Sequence, residues 1–134
     1  MHARLLLILA LCLGFWSCSD LSTGPTSIDG TYRGTFTVTH GSGLVESGVV
    51  TISFVGGQYT CSPEQKYLPP SGSGLYVIVA DTIRLTDTAA HTAEFDWTLI
   101  LNGSFSFQLN GSDVVLSQQD SEHQRYRRID LNRQ

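Results

Sequence analysis

The sequence predicts an all-β domain: an antiparallel up-and-down meander of about eight to ten strands that closes into a barrel. Three observations predict it. Apolar and polar residues alternate with period two from Thr31 almost to the end, no stretch has convincing helical spacing, and short turn signals separate the alternating runs. The chain has 134 residues, enough for one hydrophobic core and too few for two. A meander of this length leaves unpaired edges unless it curls shut, which favours a closed barrel. The alternative is a two-sheet sandwich, whose crossing connections run longer than most of those here.

Order begins at Ile28 to Gly30, and the first strand follows at once. Tyr32, Gly34, Phe36 and Val38 share one face, and Thr31, Arg33, Thr35, Thr37 and Thr39 share the other. Val50, Ile52 and Phe54 form the next apolar face, and Tyr59 and Cys61 follow Gly56-Gly57. Gly74 to Val79 and Thr82 to Leu85 flank an Ala80-Asp81 turn. A strand is expected from Phe95 to Leu101, with Phe95, Trp97, Leu99 and Leu101 alternating with Glu94, Asp96 and Thr98. Phe105, Phe107 and Leu109 repeat the pattern, Val114 and Leu116 come next, and the last strand runs around Gln124 to Leu131. Thr88 to Glu94 has room for a single helical turn. Asn102-Gly103 and Asn110-Gly111 are read as hairpin turns, because a type I′ turn needs positive φ at both positions. Both also match the glycosylation sequon through Ser104 and Ser112.

Charge excludes one class of partner. The chain carries 8 Lys+Arg against 12 Asp+Glu, a net -4, and loss of Arg4 in processing makes it -5. Nucleic-acid binding rests on clustered basic residues, and the only cluster is Arg125, Arg127 and Arg128 on the terminal strand. At the other end, Arg4, the apolar run Leu5 to Leu13 and the small residues around Ser17-Cys18-Ser19 have the layout of an export signal. That run is too short to span a bilayer, which takes about 18 to 20 apolar residues. The expected organisation is a signal peptide over 1-17, a flexible tether over 18-29 that begins at Cys18, and the β-domain over 30-134. The tether is rich in Ser, Thr, Gly and Pro, and its r.m.s. reach is on the order of 20 Å. Cys12 would leave with the signal, and Cys18 lies at the head of the tether. Cys61 then remains alone, so the domain is held by packing and Cys61 is expected to be a buried structural thiol.

Two resemblances follow from these residues. Phe15-Trp16-Ser17-Cys18 resembles a bacterial lipobox, in which a small residue precedes the cysteine that becomes the acylated N-terminus. It implies a lipidated Cys18 and a lipoprotein anchored in the cell envelope, at the outer membrane or cell surface; ordinary cleavage after Ser19 is the alternative. Gly30-Thr31-Tyr32 resembles the Gly-x-Trp of the lipocalin-like (calycin) barrels. That resemblance implies a ring closing one end of the barrel and an arginine from the last strand packed across it, a role open to Arg125, Arg127 or Arg128. The chain is also similar to small lipocalin-like envelope lipoproteins.

The candidate sites are few. No catalytic constellation is recognised, so the chain is not expected to be an enzyme, and no cofactor is expected. His40, His91 and His123 read as solvated loop histidines. Glu94 and Asp96 share a strand face, which is compatible with paired acid/base carboxylates but explained by solvation. His91, Glu94 and Asp87 lack the spacing of a metal motif, so no metal is expected. Eight aromatics fall on the apolar phase and are expected inside: Tyr32, Phe36, Phe54, Tyr59, Phe95, Trp97, Phe105 and Phe107. A barrel of about eight strands is either filled by such rings or holds one small ligand. No charge shares that phase through the central strands, so a ligand there would be mainly apolar.

Connection lengths assign the two ends. The first connection (His40 to Leu44), the third (Ser62 to Ser73) and the fifth (Asp87 to Thr92) are expected to be long and to share one end. The second, fourth and sixth, at Gly56-Gly57, Ala80-Asp81 and Asn102-Gly103, are tight and share the other. The tether enters at the tight-turn end and holds it towards the membrane. The long loops then face away as a mouth offering His40, Lys66, Tyr67, Leu68 and His91 to a partner. The expectation is a binding module, anchored to the membrane by its lipid, for a small apolar ligand or a partner segment. The alternative is a protein-interaction or structural envelope lipoprotein with a filled core.

Overall fold

A computed structural model describes residues 27–134. Cys18, the signal segment and most of the tether lie outside the described residues. The eight strands are β1 (Gly30–His40), β2 (Val45–Val55), β3 (Gln58–Pro63), β4 (Gly72–Val79), β5 (Thr82–Asp87), β6 (Gly103–Asn110), β7 (Asp113–Asp120) and β8 (Arg125–Arg133). Each pairs antiparallel with its sequence neighbours, and β8 returns to β1 in a register running from Tyr32↔Arg133 to His40↔Arg125. The sheet is a closed up-and-down barrel.

Closure needs strands to approach at backbone distance where the wall curves. At Gly34 an added Cβ would stand 1.7 Å from the Asp130 carbonyl oxygen on β8, so only glycine fits there. The inward residues form one hydrophobic cluster through Tyr32, Phe36, Phe54, Tyr59, Phe105 and Phe107 with the aliphatic residues between them. Tyr32 and Phe54 meet edge-on at 5.9 Å, the arrangement that ring quadrupoles favour. The interior is therefore occupied by side chains.

The period-two reading fails over Phe95 to Leu101. That segment belongs to a long connection, 88–102, with a single 3-10 turn at Trp97–Leu99 in place of a strand. Asp96 sets the turn: its carboxylate accepts from Thr98 N at 2.9 Å, a local side-chain bond that competes with a β ladder. Leu99, Ile100 and Leu101 are buried in succession, which no strand face allows. Phe95 and Trp97 accordingly lie outside the barrel interior, and Trp97 is 54% exposed. No helical turn forms over Thr88 to Glu94.

The connections divide as alternation requires, with changes in detail. Residues 56–57, 80–81 and 111–112 make two-residue turns at one end, the turn pole. Residues 41–44, 64–71, 88–102 and 121–124 join strands at the other end, the mouth. The first connection is short rather than long. Asn102-Gly103 is not a hairpin turn: Gly103 does take positive φ, but it starts β6, while Asn102 Oδ1 accepts from Asp87 N at 3.0 Å and closes the base of the long connection.

The turn pole is sealed by the start of the described chain. Tyr32 donates its hydroxyl to Ile28 O at 2.9 Å, and the Asp29 carboxylate accepts from Tyr76 Oη at 2.9 Å and Gly56 N at 3.2 Å. The arginine across the Tyr32 ring is Arg133, its guanidinium carbon 5.6 Å from the ring centroid, and not Arg125, Arg127 or Arg128. Arg133 also donates to Asp29 O.

Cys61 is buried and directs its thiol at Pro70 O, 3.9 Å away. Burial first, and Asp87 second, push its pKa up to about 12. Thiolate is the reactive form, so almost none exists at pH 8 in the folded chain. A bulky disulfide reagent at that pH should modify Cys61 far more slowly in the native protein than in denaturant. Equal rates would show the site to be open.

Candidate functional site

The mouth carries the side chains that the fold itself leaves unexplained. The 64–71 connection folds back over β2, where the absence of a side chain at Gly48 admits the Leu68 carbonyl; an added Cβ would stand 2.5 Å from it. Leu68 packs against the core, and Tyr67 is left on the surface side, with Lys66 Nζ 4.7 Å from its ring centroid. The 88–102 connection crosses the mouth beside it. The Tyr67 ring stacks on Phe95 at 5.0 Å and 25°, and Phe95 stacks on Trp97 at 6.3 Å and 22°. His91 meets Phe95 and Trp97 edge-on at 5.7 and 5.9 Å.

This aromatic group is fixed rather than loose. Trp97 Nε1 donates to Thr92 O at 2.9 Å, and Tyr67 donates its hydroxyl to Glu94 at 3.3 Å. His91 is not a solvated histidine: its side chain and that of Asp87 are each 9% exposed, joined by Nε2 and Oδ1 at 2.7 Å. Two χ angles per ring, already restrained, leave little entropy to lose when a partner docks.

Beneath the platform the connection is clamped onto the barrel. Arg127 lies on the inward phase of β8 with Ile129 and Leu131, and is 5% exposed, so a charge does share the interior face. Its Nη1 donates to Thr98 O at 2.9 Å and Ile100 O at 3.0 Å, its Nη2 donates to Gln118 Oε1, and its plane lies over Phe105 at 5.4 Å. Among the described residues it forms no ion pair with a carboxylate. Burial lowers its pKa from the ordinary value, with Asp120 opposing, yet a guanidinium stays charged. Arg125, two residues back on β8, holds Asp96 at 2.8 Å and also donates to Thr98 Oγ1. Burial acts to raise the Asp96 pKa, but the hydrogen bonds from Thr98 and Arg125 outweigh it and the carboxyl is held below its ordinary range. From the opposite wall Tyr59 donates to Leu101 O at 2.7 Å; burial, then Asp87, raises its pKa.

The platform stands between open grooves. One of about 520 Å³ lies between Trp97 and the β7–β8 turn, against Gln119, Asp120, His123 and Arg127. A second of about 450 Å³ runs between the 64–71 and 88–102 connections past Tyr67, His91 and Phe95.

Of the mouth residues expected from sequence, the structure brings Tyr67, Lys66 and His91 together, and buries much of Leu68 as the support beneath them. His40 is elsewhere on the mouth, bound to Glu46 at 2.7 Å, and His123 pairs with Asp120 at 2.9 Å. Glu94 and Asp96 do not face one another as paired carboxylates: one bonds Tyr67, the other Thr98 and Arg125. Among the described residues no three His, Cys, Asp or Glu side chains are grouped to hold a metal ion. Phe95, Trp97, His91 and Arg127 are site residues whose surroundings the sequence misplaced. No family model, curated protein or solved structure matches the chain.

Arg127→Met should release the Thr98 and Ile100 carbonyls while keeping an apolar stem in the barrel. The Leu99 and Ile100 amides, which close the 3-10 turn, should then exchange about tenfold faster, the loss of roughly 1.4 kcal/mol expected for hydrogen bonds to a charged donor. Unchanged exchange there would show that the clamp does not hold the connection.

Proposed function

We propose that this chain is a lipid-anchored, non-enzymatic binding module of the bacterial cell envelope, a lipocalin-like barrel that recognises a segment of a partner molecule at its mouth. The observation that carries the reading is the fixed stack Tyr67–Phe95–Trp97, half open to solvent above a filled interior. A contiguous group of fixed, half-exposed rings marks a contact surface more often than singly exposed residues do, and Trp and Tyr are enriched among binding anchors. The filled core argues against the interior as the ligand chamber and for the filled-barrel version of the function. Lys66 over Tyr67, Glu94 and the His123–Asp120 pair supply polar groups of both signs around the rings, as a polar rim does around an apolar centre.

The lipocalin-like reading is supported by Gly30-Thr31-Tyr32 with Arg133 packed over the Tyr32 ring. The anchor reading rests on the lipobox-like residues up to Cys18. It places the protein at the outer membrane or cell surface, with the mouth turned away from the bilayer.

Trp97 is the only tryptophan beyond the signal segment, so the emission of the processed chain reports on the platform alone. Titration with separated peptide, glycan and lipid fractions of a bacterial envelope should find a peptide or glycan fraction that shifts this emission. Tyr67→Ala should weaken that binding about 30-fold, the 2 kcal/mol typical of a truncated aromatic anchor. If no fraction moves the Trp97 emission, or Tyr67→Ala leaves the affinity unchanged, the mouth is not the recognition surface.

A further inference from the structure

The turn pole has an unexplained surface of its own. Val55, Val77, Val79 and Leu109 are 67%, 60%, 69% and 43% exposed, although each lies in or beside a strand where a polar residue serves equally well. They belong to one rim. Tyr76 N donates to Gly57 O at 2.8 Å and Phe107 N donates to Asp81 O at 2.6 Å, so the β2–β3 turn is tied to β4 and the β4–β5 turn to β6. Leu75, Val77 and Val79 alternate along the outer face of β4, and the apolar surface continues from the rim up that strand. Across the ladder from Val77 stands Arg84, exposed and without an ion pair among the described residues.

What covers this surface is indicated by where the rest of the chain attaches. Asp29 is tied to Gly56, Tyr76 and Arg133, so the preceding residues, with the apolar run Leu5 to Leu13 and Cys18, leave from this same pole. Only nine residues separate Cys18 from Ile28, and such a tether reaches on the order of 20 Å.

We propose that the turn pole is a membrane-docking surface, in which Val55, Val77, Val79 and Leu109 rest in the interfacial layer of a phospholipid bilayer. The barrel leans so that the outer face of β4 meets the lipid. Arg84 reaches the phosphates while its stem covers apolar surface. The inference rests on the tether reading of Cys18, which supplies a high local concentration of membrane; the rim supplies orientation. Weak apolar contacts of this kind hold a protein on a bilayer only as a second signal beside an anchor. Docking by the turn pole points the Tyr67–Phe95–Trp97 stack away from the membrane.

The test uses the full chain, processed in a bacterial host and reconstituted into phosphatidylcholine vesicles, with an environment-sensitive dye on one introduced cysteine. Val79→Cys and Leu109→Cys probe the rim, Ser121→Cys probes the mouth, and buried Cys61 stays unlabelled. The rim dyes should shift to shorter wavelength and be quenched by lipid-borne quenchers, and the mouth dye should do neither. Protein that floats with the vesicles while its rim dyes remain water-like overturns the docking surface and leaves the tether reading standing. Protein that does not float at all overturns both. Rim dyes that shift equally without vesicles as protein concentration rises show that a second copy covers the rim, and overturn the proposal.

Discussion

The guanidinium of Arg127, buried without a carboxylate partner among the described residues, is the constraint on which the mouth depends. A charge on the inward face of a barrel strand must be satisfied by hydrogen bonds or it opposes folding. β8 can supply none from its own ladder, since its backbone groups are spent on β1 and β7. The carbonyls of Thr98 and Ile100 satisfy Nη1 and Gln118 satisfies Nη2, while the buried Nε has no partner among the described residues. The 88–102 connection is therefore drawn across the open end. Leu99 and Leu101 complete the core from above, and Phe95 and Trp97, on the other side of the same turn, are left outside. The filled interior and the exposed aromatic stack are two faces of one clamp.

Closure explains the rest of the asymmetry. In an up-and-down barrel successive connections alternate between poles, and here every connection at one pole has two residues. That pole has no loop available for recognition. It is sealed by Tyr32, Asp29 and Arg133, which fix where the chain arrives and where it ends. All the longer connections among the described residues are at the mouth, and so are His40, His91, His123 and the stacked rings. On the proposed reading, attachment and recognition lie at opposite ends of the barrel axis.

Much of this arrangement was legible as alternation. Wherever a strand has one face in the core, period two identifies the inward set, and Tyr32, Phe36, Phe54, Tyr59, Phe105 and Phe107 all lie on it. The same rule misled at Phe95 to Leu101, where the spacing is a strand's but Asp96 caps a 3-10 turn and three consecutive residues are buried. Alternation cannot register a local side-chain bond of this kind. Arg127 did leave a signal, because it shares parity with Ile129 and Leu131, yet an arginine cluster invites a solvent-facing reading. Arg133 lay just past the expected end of the last strand. The burial of His91 had no sequence signal, since it depends on a connection folding back onto Asp87. The site was therefore legible as a location, the mouth, and not as a constellation.

The proposal that the mouth, and not the interior, is the recognition surface predicts an interior closed to ligand, which can be measured directly. Assigned methyl spectra of the full chain can be recorded with and without a saturating long-chain fatty acid. The methyl resonances of Ile52, Ile83, Leu116 and Ile129 should not move, because their space is already filled by one another and by the surrounding rings. Shifts at these four residues, with the acid held inside the barrel, would contradict the proposal and return the interior to the role of binding chamber.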